Sequence, residues 1–170
     1  MTDQIELEFH GATGEVTGSC HILHVGGRQV LLECGLVQGG RQQQARNRED
    51  FPFDPRKLDA VVLSHAHIDH SGRLPLLVQR GFAGPIYAQS ATADFCKIML
   101  EDSARLAEGD AETENRKRDR KDLPHVTPLY TIGDVERTLR QLVPLPYEKK
   151  QQILPGISIR FQDAGHILGS

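Results

Sequence analysis

Ala60-Val61-Val62-Leu63-Ser64-His65-Ala66-His67-Ile68-Asp69-His70 decides how this chain is read. The run Ala60 to Leu63 is apolar and predicts a buried β-strand. Directly after it stand four metal-capable side chains within six residues, His65, His67, Asp69 and His70. Imidazole and carboxylate suit zinc or a similar divalent ion. His65 and His67 are two apart, so in an extended segment they point the same way and can grip one ion. Asp69 and His70 follow once the strand has turned, and can face a second ion beside the first. A polar loop with surface histidines is the plainer reading, but it gives no cause for four ligands in register.

Working outward, Ile5 to Phe9 alternates apolar and polar residues and reads as a first strand. His21 to Val25 and Gln29 to Leu32 flank Gly26-Gly27, a two-residue hairpin signal. Gly39 to Asp54 is polar and reads as a surface loop with a short helical turn. The strand carrying the histidines spans Leu58 to Leu63. A helix opens at Ser71 and runs to about Arg80, with Pro75 tolerated in its first turn. Ile86-Tyr87-Ala88 is a short strand, and Ser90 a plausible N-cap for the next helix. In that helix Phe95, Ile98 and Met99 fall at helical spacing and predict a core-facing stripe. Glu108 to Asp122 is charged or small, and its basic run Arg116 to Lys121 reads as a solvated helix. Asp134 to Leu142 predicts a helix with Val135, Leu139 and Leu142 on one face. Final strands are expected at Leu142 to Tyr147 and Ile157 to Phe161, the second preceded by a Pro155-Gly156 turn.

At 170 residues the chain is long enough for one domain with a real core. Its 38% hydrophobic and 25% charged residues are ordinary for a globular protein. No apolar stretch approaches membrane-spanning length. Met1-Thr2-Asp3-Gln4 lacks the basic and apolar regions of a secretory signal. Cys20, Cys34 and Cys96 are far apart and odd in number, which suggests neither a disulfide framework nor a CxxC knuckle. A reducing cytoplasm is the simplest compartment. The net charge of −3 gives no global pull toward nucleic acid, so any phosphate-binding surface must be local.

The run His65 to His70 resembles the HxHxDH signature of the metallo-β-lactamase superfamily. Three further segments are similar to its RNA-processing branch, the one with a β-CASP cap. Gly11 to Cys20 resembles that branch's first loop. Val30 to Gly39, with Glu33-Cys34-Gly35, resembles motif 1. Gly165-His166-Ile167-Leu168-Gly169-Ser170 resembles motif 3. Their order and spacing together are far more specific than any one alone.

The resemblance implies an α/β protein, the N-terminal portion of a four-layer αββα sandwich. It implies His65, His67 and His166 as ligands of a first zinc, and Asp69 and His70 as ligands of a second. Three imidazoles leave one position for water, the pattern of catalytic zinc. The implied reaction is hydrolysis of RNA phosphodiester bonds by a metal-bound hydroxide. Asp69 is then the catalytic residue that orients the nucleophile and takes part in proton transfer. The family's bridging acid, cap domain and late histidine are not found in residues 1–170. The expectation is therefore one incomplete metallo-β-lactamase-like domain of a larger enzyme, inactive alone, with a C-terminal remainder and RNA as partners. A homo-oligomer is left open. The competing functions are a small ester or thioester hydrolase of the same fold and a non-catalytic metal-binding fragment.

Two further groups complete the reading, the first from the resemblance and the second from the residues alone. Glu33 stands where the family usually has Asp, a residue that hydrogen-bonds behind the metal ligands and does not bind metal. Arg41, Arg46 and Arg48 are candidates for contact with an RNA backbone, against the plainer reading of a solvated loop. His10, His21, His24 and His125 lack ligand spacing, although His10 begins the Gly-rich loop.

Overall fold

The computed structural model describes residues 4–170, so Met1, Thr2 and Asp3, read above for a leader, lie outside the described residues. Strands β1 (Ile5–Phe9), β2 (His21–Val25) and β3 (Arg28–Leu32) form an antiparallel meander. The expected hairpin turn joins β2 to β3. Gly26 and Gly27 have φ of 56° and 75°, the left-handed pair that a tight two-residue turn requires. Strands β4 (Ala60–Leu63), β5 (Ile86–Gln89) and β6 (Leu142–Leu145) then add in parallel, giving the order β1-β2-β3-β4-β5-β6. Parallel neighbours need crossovers, and helices fill them. Helix α1 (Arg41–Ala45) lies in the β3–β4 connection. Helices α2 (Ile68–Ser71) and α3 (Leu74–Gln79) lie between β4 and β5. Helices α4 (Ser90–Asp119) and α5 (Ile132–Leu139) lie between β5 and β6. This is the mixed α/β arrangement expected.

Residues sharing a register position share a face of the sheet. Ile22, Leu31, Val61 and Ile86 form such a row, and all are buried with Leu77, Cys96, Leu100, Ala104 and Val135 from the helices. Full burial of a side chain such as Leu31 or Leu100 contributes about 1.5–3 kcal/mol. The opposite face is less covered: Leu7 is 46% exposed, and Leu23, Val62, Tyr87 and Val143 are half-buried.

Several sequence expectations are corrected here. Phe95, Ile98 and Met99 do not face the core; they are exposed, and Thr92, Cys96, Leu100 and Ala104 are buried instead. The small side chains at Cys96 and Ala104 let α4 lie close to the sheet, and the large ones turn outward. The cap of α4 is Gln89, not Ser90; its side-chain oxygen accepts from Ala91 N at 2.6 Å. The polar stretch after Glu108, by contrast, is the solvated helix expected: it continues α4 to a length of 30 residues, supported by pairs such as Arg118–Glu114. Helix α5 starts earlier than expected, because Thr131 and Asp134 make a capping box. The helix expected from Ser71 is two, with Ser71 ending α2. Strand β7 (Gln151–Leu154), polar enough to pass as loop, pairs with β8 (Ile157–Ile159) through the Pro155-Gly156 turn. No helix among the described residues is long and apolar enough to cross a membrane.

Candidate metal centre

The end of β4 delivers Ser64 and His65 to the rim of the sheet, and the chain then turns into α2. Main-chain bonds hold that turn from three sides. Ser19 N donates to Asp69 O, Cys34 N to His70 O, and Leu36 N to Ile68 O, at 2.7–3.0 Å. The close approach explains Gly35: a Cβ there would stand 1.6 Å from Asp69 O. Across the site, the loop carrying His166 is pinned elsewhere. Gly169 O accepts from Thr92 Oγ1 at 2.7 Å, and Ser170 O accepts from the Tyr147 hydroxyl at 2.9 Å.

These supports bring His65, His67 and His166 together. Their ligand atoms all lie within 4.8 Å of one another. His67 Nδ1 is 3.1 Å from His65 Nε2 and 3.2 Å from His166 Nε2. Tetrahedral nitrogen ligands at zinc distances stand about 3.3 Å apart, so the set fits such an ion. His65 Nδ1 is 2.8 Å from Ser64 Oγ. With its proton on Nδ1, His65 points the Nε2 lone pair at the other rings. Burial, and then the neighbouring rings of His70, His67 and His166, push the His65 pKa down to about 4. The ring is therefore neutral and ready to bind metal near pH 7.

Asp69 and His70 stand beside this triad but outside it. The His65 and His70 rings are 4.1 Å apart, centre to centre, and His70 Nε2 is 3.8 Å from Asp69 Oδ2. Glu33 explains the orientation of His70. It sits just after β3 with φ of +64°, a left-handed conformation costing a non-glycine residue about 1–2 kcal/mol. That backbone aims one carboxylate oxygen at Ser64 N (2.8 Å) and the other at His70 Nδ1 (3.2 Å). The bond to Glu33 raises the His70 pKa and leaves Nε2 to face Asp69. Glu33 thus touches both ends of the histidine run without joining the cluster. Asp69 and His70 offer two donors for a second ion.

The three arginines separate. Arg46 is held by both carboxylate oxygens of Glu15 at 2.7 and 2.8 Å, and Arg48 donates to Thr127 O. Arg41 makes no ion pair or side-chain hydrogen bond among the described residues. It lines an open groove of about 550 Å³ whose wall includes Ile68, the residue before Asp69. His10 packs on Phe53 and pairs with Glu8, His24 pairs with Glu8, and His125 with Asp119, all away from the triad. Sequence reasoning missed Ser64, Thr92 and Tyr147 as supports. Ser64 could have been found from its place beside His65; Thr92 and Tyr147 had no signal, because their partners are distant in the chain.

Residues 13–149 match the family model described as the metallo-beta-lactamase superfamily. A protein named Ribonuclease TTHA0252, from Thermus thermophilus, is 42% identical over 160 residues, covering 94% of this chain and 32% of the relative. One named Transcription termination factor FttA, from Methanosarcina mazei, is 34% identical over 163 residues, covering 94% of this chain and 23% of the relative. The chain thus spans 32% and 23% of the length of these curated relatives. Their names bear out the expected likeness to the RNA-processing branch. A solved structure titled as the peroxy diiron species of the chemotaxis sensor ODP superposes with a TM-score of 0.49 at 18% identity, over 98% of this chain and 52% of that one.

Proposed function

The chain belongs to the metallo-beta-lactamase superfamily, and from that membership we propose that it supplies the metal-binding portion of a zinc-dependent β-CASP-type ribonuclease. His65, His67 and His166 hold one ion; Asp69 and His70 serve a second. The observation that carries the reading is the convergence of three imidazole nitrogens within 4.8 Å from segments far apart in sequence. When bound, zinc supplies Lewis-acid chemistry: a nucleophile from water at neutral pH and neutralisation of charge on a phosphoryl oxygen. The chain's own residues do the rest. Ser64 and Glu33 fix the rings of His65 and His70. Asp69, beside both, accepts a proton and orients the attacking group. Arg41, unpaired at the groove that begins at Ile68, contacts the RNA backbone; Arg46 and Arg48, already bonded, serve structure.

The name of the Thermus thermophilus relative, a ribonuclease, supports RNA as substrate. The test uses a protein of the relatives' length that carries this chain. Such a protein should cleave single-stranded RNA only with zinc. Asp69→Asn should reduce turnover by about a thousandfold with little change in RNA affinity, because it removes a charge at the reacting centre and keeps the shape. Near-normal cleavage by Asp69→Asn contradicts the proposed role, and hydrolysis of thioesters without RNA cleavage contradicts the substrate.

A further inference from the structure

A cavity of about 230 Å³ adjoins the metal centre, lined by Ala66, His67, Phe95, Met99, Ile167 and Leu168. Its walls are almost wholly apolar. Phe95 and Met99, one turn apart on α4, are each 37% exposed, and Leu168 is 70% exposed. Large apolar side chains grouped at the surface beside a polar site mark a place where something binds. Two walls of the cavity are parts of the metal centre itself. His67 contributes Nδ1 to the triad, and Ile167 and Leu168 continue directly from His166. Whatever group the triad engages therefore has its immediate neighbour in this cavity.

We infer that the cavity is a nucleobase subsite for the nucleotide next to the scissile phosphate, an inference that rests on the RNA reading above. A phosphodiester at the triad carries only a ribose and a base within reach. Ribose hydroxyls find no polar partner on these walls, and burying them unpaired is costly. A base has two apolar faces. Phe95 contributes an aromatic ring to the wall, and Met99 a polarisable thioether suited to an aromatic neighbour. With almost no donors or acceptors to meet a base edge, the subsite holds any base by stacking and does not read sequence.

The test is fluorescence anisotropy of a zinc-loaded protein of the relatives' length that carries this chain, with a short single-stranded RNA whose linkages resist hydrolysis. The same RNA carrying one abasic nucleotide, placed at each position in turn, is compared with it. At one position the abasic residue should weaken binding by about tenfold, the loss of one stacked base. Phe95→Ala should bind intact and abasic RNA alike, at the weaker level, with zinc content unchanged. Phe95→Leu, which keeps the apolar wall, should resemble Phe95→Ala. If abasic positions never matter, or if the abasic and Phe95→Ala losses simply add, no base occupies the cavity and the RNA reading stands without it. If that protein without substitution shows no zinc-dependent RNA binding, the RNA reading falls and takes the subsite with it.

Discussion

Gly35→Ala places a methyl group against the backbone of the metal-binding turn. The new Cβ would lie 1.6 Å from Asp69 O, 2.1 Å from Asp69 C and 2.8 Å from His70 N. Real contacts of this kind do not fall below 3.0 Å, so the Asp69 peptide must retreat by about 1.4 Å. That peptide is tied to Ser19 N and its neighbours to Cys34 N and Leu36 N. It also follows His67, whose carbonyl accepts from His70 N and Ser71 N. The shift is therefore passed to His67, whereas a working site tolerates displacements of about 0.5 Å. Zinc affinity should fall by about a hundredfold, the upper end for loss of outer support. Overpacking should also cost about 1–3 kcal/mol of stability. The control is Gly109→Ala on α4, where an added Cβ meets nothing within 4 Å. It should leave zinc binding unchanged and stabilise the helix by about 0.5–1 kcal/mol. Competition titration against a chromophoric chelator and urea unfolding measure both. Gly35→Ala binding zinc as tightly as wild type would refute the claim that this packing holds the ligands.

Glu33→Gln should weaken zinc binding by about ten- to a hundredfold, because it removes the charge that orients His70. Glu33→Asp should be milder, and zinc titration ranks the two. Glu112, on the exposed face of α4 and far along the chain from the histidine run, is the control and should leave zinc affinity unchanged. The metal-free chain should lose stability as pH falls from about 6.5 to 4. Unfolded His65 takes a proton in that window while folded His65, held down to about 4, does not. Urea midpoints across the window should show a smaller loss in His65→Gln; an identical slope would mean that the folded ring charges freely.

The parts of the fold that depend on local chemistry were legible in the sequence. Gly26-Gly27 dictated a hairpin, Ala60 to Leu63 a buried strand, and the spacing of His65 and His67 a shared direction. The phase of α4 was not. Phe95 and Met99 form one stripe and Cys96, Leu100 and Ala104 the next, and bulk alone favours burying the first. The structure buries the second, because small residues allow close approach, and this puts Phe95 and Met99 beside the metal centre. The left-handed backbone at Glu33 was equally hidden. Nothing local favours it, and only the paired demands of Ser64 N and His70 Nδ1 explain it. The arginines could be named but not ranked, since Arg46 is occupied by a glutamate 31 residues away.

The most direct measurement of the central claim is zinc content, with X-ray absorption to identify the ligands, after dialysis of the wild-type chain and of the His65→Ala, His67→Ala double variant. The wild type should retain about one zinc per chain with imidazole nitrogens at about 2.0–2.1 Å, and the double variant should retain almost none. Equal zinc in the two proteins, or a zinc bound mainly through sulfur, would contradict the account.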